Sequence, residues 1–377
     1  MSLSRTMAIA AGAAITMVGS LGLASPASAT YANDPVSRAW SPDGPVHSSL
    51  GTASRLFVGG QFSGGGGIAA VNPSTGALLW SVPADGDVRA MALSEDGTRL
   101  LVGGGFTHVD GATHRHLAAL NVSDGSVVTN WRAGASGMVR DLVVSGDRLF
   151  VGGQFGRIRG AAQRGLGAVT VSSGQRIAAF TGSVDRHVYG LALTNNQLIV
   201  SGRFNSVNGQ SRSSIASFNL SNYQLTSWAP RRLCAGCNAY WDVVTDGTNA
   251  YVGTSGPGGN LGAFNLSTGN NPWRYVHANG DVQALSLPGD GLLYLGGHFG
   301  QYVGNSSIRR TDLAAVNPNN GQVDPDFHPK LFKRYPGVWT FATTPGMLHA
   351  GGNFLGIGAG PNARNNKVPY LTAFGIQ

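Results

Sequence analysis

Only two of the 377 residues are cysteine, Cys234 and Cys237, and only one is glutamate, Glu95. One C-x-x-C pair cannot build a four-cysteine zinc site. RRLCAGCNAY also lacks the strand–helix–strand setting of a thioredoxin-like redox motif, so in an exported chain the pair reads as a local disulfide. Charge is sparse, at 12% of residues. Beyond the first two dozen residues no apolar run is long enough to cross a bilayer, and no membrane insertion is expected. No helical periodicity separates the repeated segments, and without a helix N-terminus behind them the glycine pairs are not a phosphate cradle.

What the chain has in quantity is glycine, 57 residues, with 17 prolines, a composition suited to many turns and closely stacked sheets. The stretch LFVGGQF at 56–62 returns as LLVGGGF (100–106), LFVGGQF (149–155), LIVSGRF (198–204), AYVGTSG (250–256), LYLGGHF (293–299) and LHAGGNF (348–354). Each copy lies within a unit of four short apolar runs separated by turns. Such a repeat predicts an all-β chain: a seven-bladed β-propeller with four antiparallel strands per blade. Aromatic residues close the fourth runs at Trp80, Trp131, Phe180, Trp228, Trp273 and Phe327. The seventh unit lacks that run, and DPVSRAW at 34–40, ending at Trp40, supplies it. The N-terminal strand is therefore expected to complete the last blade and remove an open sheet edge.

Residues 1–29 carry Arg5, an apolar Ala/Gly-rich middle and Ala27-Ser28-Ala29, the pattern of a secretory signal peptide. Residues 30–377 then form a single domain, secreted and extracellular.

The pattern L-x-V-G-G-x-F, then V-x-G and L-A-A-x-N, is seen in LLVGGGFTHVDG with LAALNVSDG and in LYLGGHFGQYVG with LAAVNPNNG. It resembles the delta-60 repeat type of secreted bacterial β-propellers, which share the Gly-Gly strand with kelch-like propellers. That resemblance implies an extracellular binding or adhesion module. The fifth unit departs from it: AYVGTSGPGGN lacks the phenylalanine and is expected to leave a notch in the rim.

The formal charge is +8, and most cations, among them Arg115, Arg157, Arg159, Arg212 and Arg310, fall in loops expected on one face. A one-signed face attracts anions. Aligning the innermost strands places His47, Arg89, Arg140, Tyr189, Trp241, Gln283 and Trp339 at one level, followed by small or acidic residues. Large mixed side chains at one level suit the mouth of a central channel and a sugar or peptide ligand. Gln61, Gln154, Arg203, His298 and Asn353, on the Gly-Gly strands, are expected to form a second ring. No metal or cofactor is expected, although His108, His114 and His116 share one loop. Asp141 with Asp242, or Asp87 with Asp281, are the carboxylate pairs placed to attempt hydrolysis, yet turn-capping is the commoner use of such residues.

The leading expectation is a monomeric, non-enzymatic, lectin-like or adhesion propeller that binds an anionic or sugar-containing envelope or extracellular polymer, with no nucleic-acid partner. The alternative is a scaffold or adaptor for a secreted protein partner. A polysaccharide hydrolase or lyase ranks third.

Overall fold

The computed structural model describes residues 31–194, 196–255, 259–278, 280–299, 308–358 and 368–376. The expected signal peptide and most of the fifth-unit notch lie outside them. Within them every named element is a strand, and no helix is long and apolar enough to cross a membrane.

Neighbouring strands pair antiparallel in chain order. The first sheet joins Val46–Gly51, Leu56–Gly60, Gly66–Val71 and Leu78–Ala84, with a short hairpin from the next unit's loop against its outer edge. The order returns in Val88–Leu93, Arg99–Gly104 and Leu117–Asn121; in Val139–Ser145, Arg148–Gly153 and Leu166–Thr170; and in His187–Leu193, Gln197–Arg203 and Ile215–Asn219. It continues through Tyr240–Thr245, Asn249–Thr254, Gly259–Asn265 and Arg274–Ala278; then Val282–Ser286, Leu293–Gly297 and Leu313–Val316; and finally Lys330–Thr344, Met347–Gly358 and Leu371–Gly375. The chain is thus a multi-bladed, propeller-like array of small sheets.

The fourth strand is weaker than the repeat suggests. Among the described residues it is a full ladder only in the first and fifth sheets, and shrinks to single bridges at Val127, Arg176, Leu225 and Val323. The cause is local: the Trp131 and Phe180 N–H groups bond back to the carbonyls of Val128 and Ile177, a tight turn that ends pairing and drops each ring into the core.

Core side chains interlock between sheets rather than within them. Leu101 and Leu117 pack with Leu149, Val151 and Trp131, for example, and each fully buried aliphatic or aromatic side chain contributes about 1.5–3 kcal/mol. The phenylalanine after each glycine pair, at 62, 106, 155, 204, 299 and 354, is buried, as an anchor for the departing loop must be.

The ends of the array meet. Val46–Gly51 packs on Lys330–Thr344, and the Ser49 N–H donates to Thr340 Oγ1 at 3.1 Å. The N-terminal segment runs beside the last sheet: Ala32 and Val36 N–H groups donate to Gly375 and Ala373 carbonyls at 2.7 and 2.8 Å, and Tyr31 bridges Ile376. This pairing covers residues 31–36, earlier than the 34–40 stretch expected to supply it. Past Val36 the chain crosses to the first sheet, where the Trp40 N–H reaches the Gly76 carbonyl at 3.0 Å and its ring meets Phe62 edge-on. At the crossing Arg38 Nη2 donates to His349 Nδ1 at 2.7 Å, which leaves the His349 Nε2–H to donate to Thr344 Oγ1, also at 2.7 Å.

Candidate functional site

The inner strand of every sheet carries a β-bulge near its start, and the extra residue is in turn His47, Arg89, Arg140, Tyr189, Trp241, Gln283 and Trp339. Opposite each bulge stands the glycine pair or its equivalent: Val46 pairs with Gly60 and Ser48 with Gly59, so His47 has no partner in the ladder. A bulge re-aims the side chain it inserts. The glycines make the room, since a Cβ on Gly60 would strike the Pro45 carbonyl and one on Gly59 would strike Val88 and Met91 of the next sheet. The repeated glycine pair and the variable inner residue are therefore one device, and it brings all seven side chains to a single cavity of about 430 Å³.

The mouth of that cavity divides into two arcs. On one, His47 Nδ1 is hydrogen-bonded to Asp87, Arg89 Nε lies 2.5 Å from Asp87 Oδ2, and Arg140 follows. Burial, opposed by Asp87, lowers the His47 pKa, and burial followed by the Arg89 charge lowers that of Arg140 to about 10. On the other arc Tyr189 and Trp241 stack at 4.6 Å and 17°, with the Arg140 guanidinium 5.7 Å from the Tyr189 centroid. Trp339 leans on His47 at 4.2 Å, and Gln283 completes the lining. His47 Nε2, Arg140 Nε, Trp241 Nε1 and Gln283 Oε1 are buried and have no hydrogen-bond partner among the described residues. Buried polar groups are normally paired, so a cluster of exceptions at one cavity makes it the candidate site.

The carboxylates do other work. Asp141 accepts the N–H groups of Leu142 and, on the neighbouring sheet, Leu191 at 2.8 and 2.6 Å. Asp242 accepts those of Val243 and Leu285 at 2.8 and 2.7 Å. Both are struts between sheets at the cavity wall. Burial, and secondarily Asp242, pushes Asp141 up to about 8, while burial pushes Asp242 up to about 6. Asp87 serves His47 and Arg89.

The expected second ring does not line the cavity. Gln61, Gln154 and His298 bond through their backbone N–H groups to the carbonyls of Pro45, Met138 and Asp281, while Arg203 pairs with His187 and Asn353 with Gly337. These five lie one strand further out, where the second strand ends, and none is among the residues that line the cavity.

Of the loop histidines, His108 and His116 line one cavity of about 440 Å³. His108 meets Asp85 at 2.9 Å, His116 occupies a left-handed turn with Nδ1 3.2 Å from the Gly104 carbonyl, and His114 is buried. Among the described residues no three His, Cys, Asp or Glu side chains group as metal ligands. Cys234 and Cys237 form a disulfide, with Asn260 Nδ2 3.3 and 3.1 Å from their sulfurs. The basic face also needs correction. Arg115, Arg132, Arg157 and Arg159 do surround a cavity of about 730 Å³, but Arg212 and Arg310 are only 8% exposed. Their guanidiniums clamp the carbonyls of Thr226 and of Asp324, Pro325 and Phe327, so they are internal struts.

Sequence reasoning missed Asp87 as the countercharge of the cationic arc; the visible signal was an acid immediately before the inner strand VRAMAL. It also missed the role of the rim tryptophans. Trp80, Trp131, Trp228 and Trp273 each donate Nε1–H to a carbonyl of the next sheet, at Val122, Val171, Asn265 and Pro318.

Over residues 31–275, more than half of the chain, the sequence matches the family model described as outer membrane protein assembly factor BamB. The fold is similar to the crystal structure of the WD40 β-propeller domain of Doa1, at a TM-score of 0.63 and 11% identity, covering 92% of this chain and 98% of that one. At that identity the likeness is one of fold. A comparison with curated proteins finds no match.

Proposed function

Because the chain belongs to the family of the outer membrane protein assembly factor BamB, we propose that it is an extracytoplasmic, non-enzymatic propeller that binds a protein partner at its channel mouth. The observation that carries this reading is the set of seven bulged side chains at one cavity, four of them presenting buried polar atoms that nothing among the described residues satisfies. The family's description names assembly rather than a reaction, and the acids best placed for hydrolysis spend their oxygens on backbone N–H groups. The proposal takes residues 1–29 as an export signal and residues 30–377 as one monomeric domain. Its ring has seven blades of the delta-60 repeat type, each small sheet being one blade.

A second reading, an anionic or sugar-containing polymer as ligand, is favoured by one feature, the Tyr189–Trp241 stack, since a sugar face packs on such a platform. One experiment separates the two. A photo-crosslinking residue at position 189 is exposed to the envelope and medium proteins of the producing cell, with position 79 on the exposed outer strand as control, beside a glycan array. The protein reading expects a discrete adduct from position 189 and none from position 79. Array binding without any protein adduct would replace it with the polymer reading.

A further inference from the structure

We infer that the channel mouth receives the free C-terminal carboxylate of a partner polypeptide whose last residue is aromatic, the carboxylate lying on the Arg89–Arg140 arc and the ring on the Tyr189–Trp241 arc. This rests on the protein-binding reading above and specifies its ligand.

The charge balance of the mouth is incomplete. Arg89 and Arg140 sit on neighbouring inner strands, and the one acid engaged with them, Asp87, is shared between Arg89 and His47, whose side chain is only 2% exposed. Among the described residues Arg140 makes no ion pair and its Nε is buried without a hydrogen-bond acceptor, whereas the Arg89 Nε lies 2.5 Å from Asp87 Oδ2. The two acids on the cavity wall do not supply one. All four oxygens of Asp141 and Asp242 accept backbone N–H groups, and burial moves both residues toward the neutral form. Arg140, with an unmatched charge and an unaccepted Nε–H, beside Arg89, whose acid Asp87 is shared with His47, forms a receptor for one carboxylate, which accepts such donors in charge-assisted bonds.

Beside them lies a flat apolar surface, the stacked Tyr189 and Trp241 rings, and beyond it Gln283 Oε1 and Trp241 Nε1 offer one acceptor and one donor, the complement of a peptide group. A volume of about 430 Å³ holds one large residue and part of a second. A chain end brings one backbone into that volume, whereas a loop would have to bring two. Capture of a terminal carboxylate by fixed donors is an established way to recognise a chain end.

The test uses the intact secreted chain and three probes: N-acetyl-glycyl-phenylalanine, its C-terminal amide, and glucuronate, which carries a carboxylate on a sugar ring. Binding is followed by titration calorimetry. The acid is expected to bind at least about tenfold more tightly than the amide, a difference of about 1.4 kcal/mol. Arg140→Met should weaken the acid by a similar factor and abolish the discrimination. Trp241→Leu should weaken acid and amide alike. Arg89→Lys, which keeps the charge but loses the planar fork, serves as the second variant should Arg140→Met fail to fold. Equal binding of acid and amide, or acid affinity unchanged in whichever arginine variant folds, would overturn the inference. So would binding of glucuronate in place of the peptide. If an adduct at position 189 persists through such a result, only the carboxylate assignment fails; if neither adduct nor probe binding is seen, the protein-binding reading fails with it.

Discussion

The same side chain does opposite things at the rim and at the axis. At the rim Trp131 and Trp228 are buried and Trp80 and Trp273 partly buried between sheets, and each indole N–H is met by a carbonyl of the next sheet at 2.8–3.0 Å. At the axis the Trp241 ring is half-buried against Tyr189, and its Nε1–H is shielded from water without a partner among the described residues. A satisfied buried donor fastens two sheets together, whereas an unsatisfied one costs about 1–3 kcal/mol until something binds it. The rim is thus finished by the fold alone and the axis is not, which distinguishes the residues that hold the ring from those available to a ligand.

The largest effect that can break this contrast is a pair of truncations. Trp131 is fully buried, so Trp131→Ala should lose about 3–5 kcal/mol in chemical denaturation, from the cavity and the stranded Val171 carbonyl. Trp241→Ala gives up one stacked contact and removes an unpaired donor, and should cost no more than about 1 kcal/mol. If the two losses were equal, Trp241 would be a core residue and the axis would be as closed as the rim.

Acid sharpens the contrast where the ring is closed. Burial, and next the Arg38 charge, lowers the His349 pKa from 6.5 to about 3, because the neutral ring must accept from Arg38 while donating to Thr344. The depressed value means the unfolded chain binds the proton more readily. The stability this neutral histidine contributes is complete above pH 6.5 and is lost as pH falls toward 3. Between pH 8 and pH 5 the loss from this group should be about 2 kcal/mol. His349→Gln, which keeps one acceptor and one donor, should flatten that part of the stability profile, and an unchanged acid limb would show that the closure does not depend on a neutral residue 349.

The smallest expected effect concerns the disulfide. Joining residues three apart restrains the unfolded chain weakly, so replacing Cys234 and Cys237 with serine should cost no more than about 2 kcal/mol by thermal melting. A larger loss would place this loop with the rim tryptophans as a fastening of the ring.

Much of this was legible before any coordinates. Repetition of LFVGGQF carried the all-β array, because glycine inside an apolar strand means close backbone approach and a four-run unit means a small antiparallel sheet. The seven inner residues could be found by alignment, since large mixed side chains at one level do not pack as a core. Other assignments lacked direction. Gln61, Gln154, Arg203, His298 and Asn353 occupy equivalent positions in the repeat, but a linear pattern does not say that they stand outside the lining of the cavity. Arg212 and Arg310 look like surface cations until the carbonyls beneath them are seen.

By itself, then, the sequence determined the repeat, the strand order and the identity of the residues nearest the axis, because all three follow from local periodicity and residue size. Only the tertiary structure decided that the glycine pair and the inner residue are one bulge, that the closing strand pairs through residues 31–36, and that the mouth is cationic on one side and aromatic on the other. Those depend on which side chains from different sheets converge on one axis, and sequence separations such as that between Arg89 and Trp241 carry no information about it until the ring is closed.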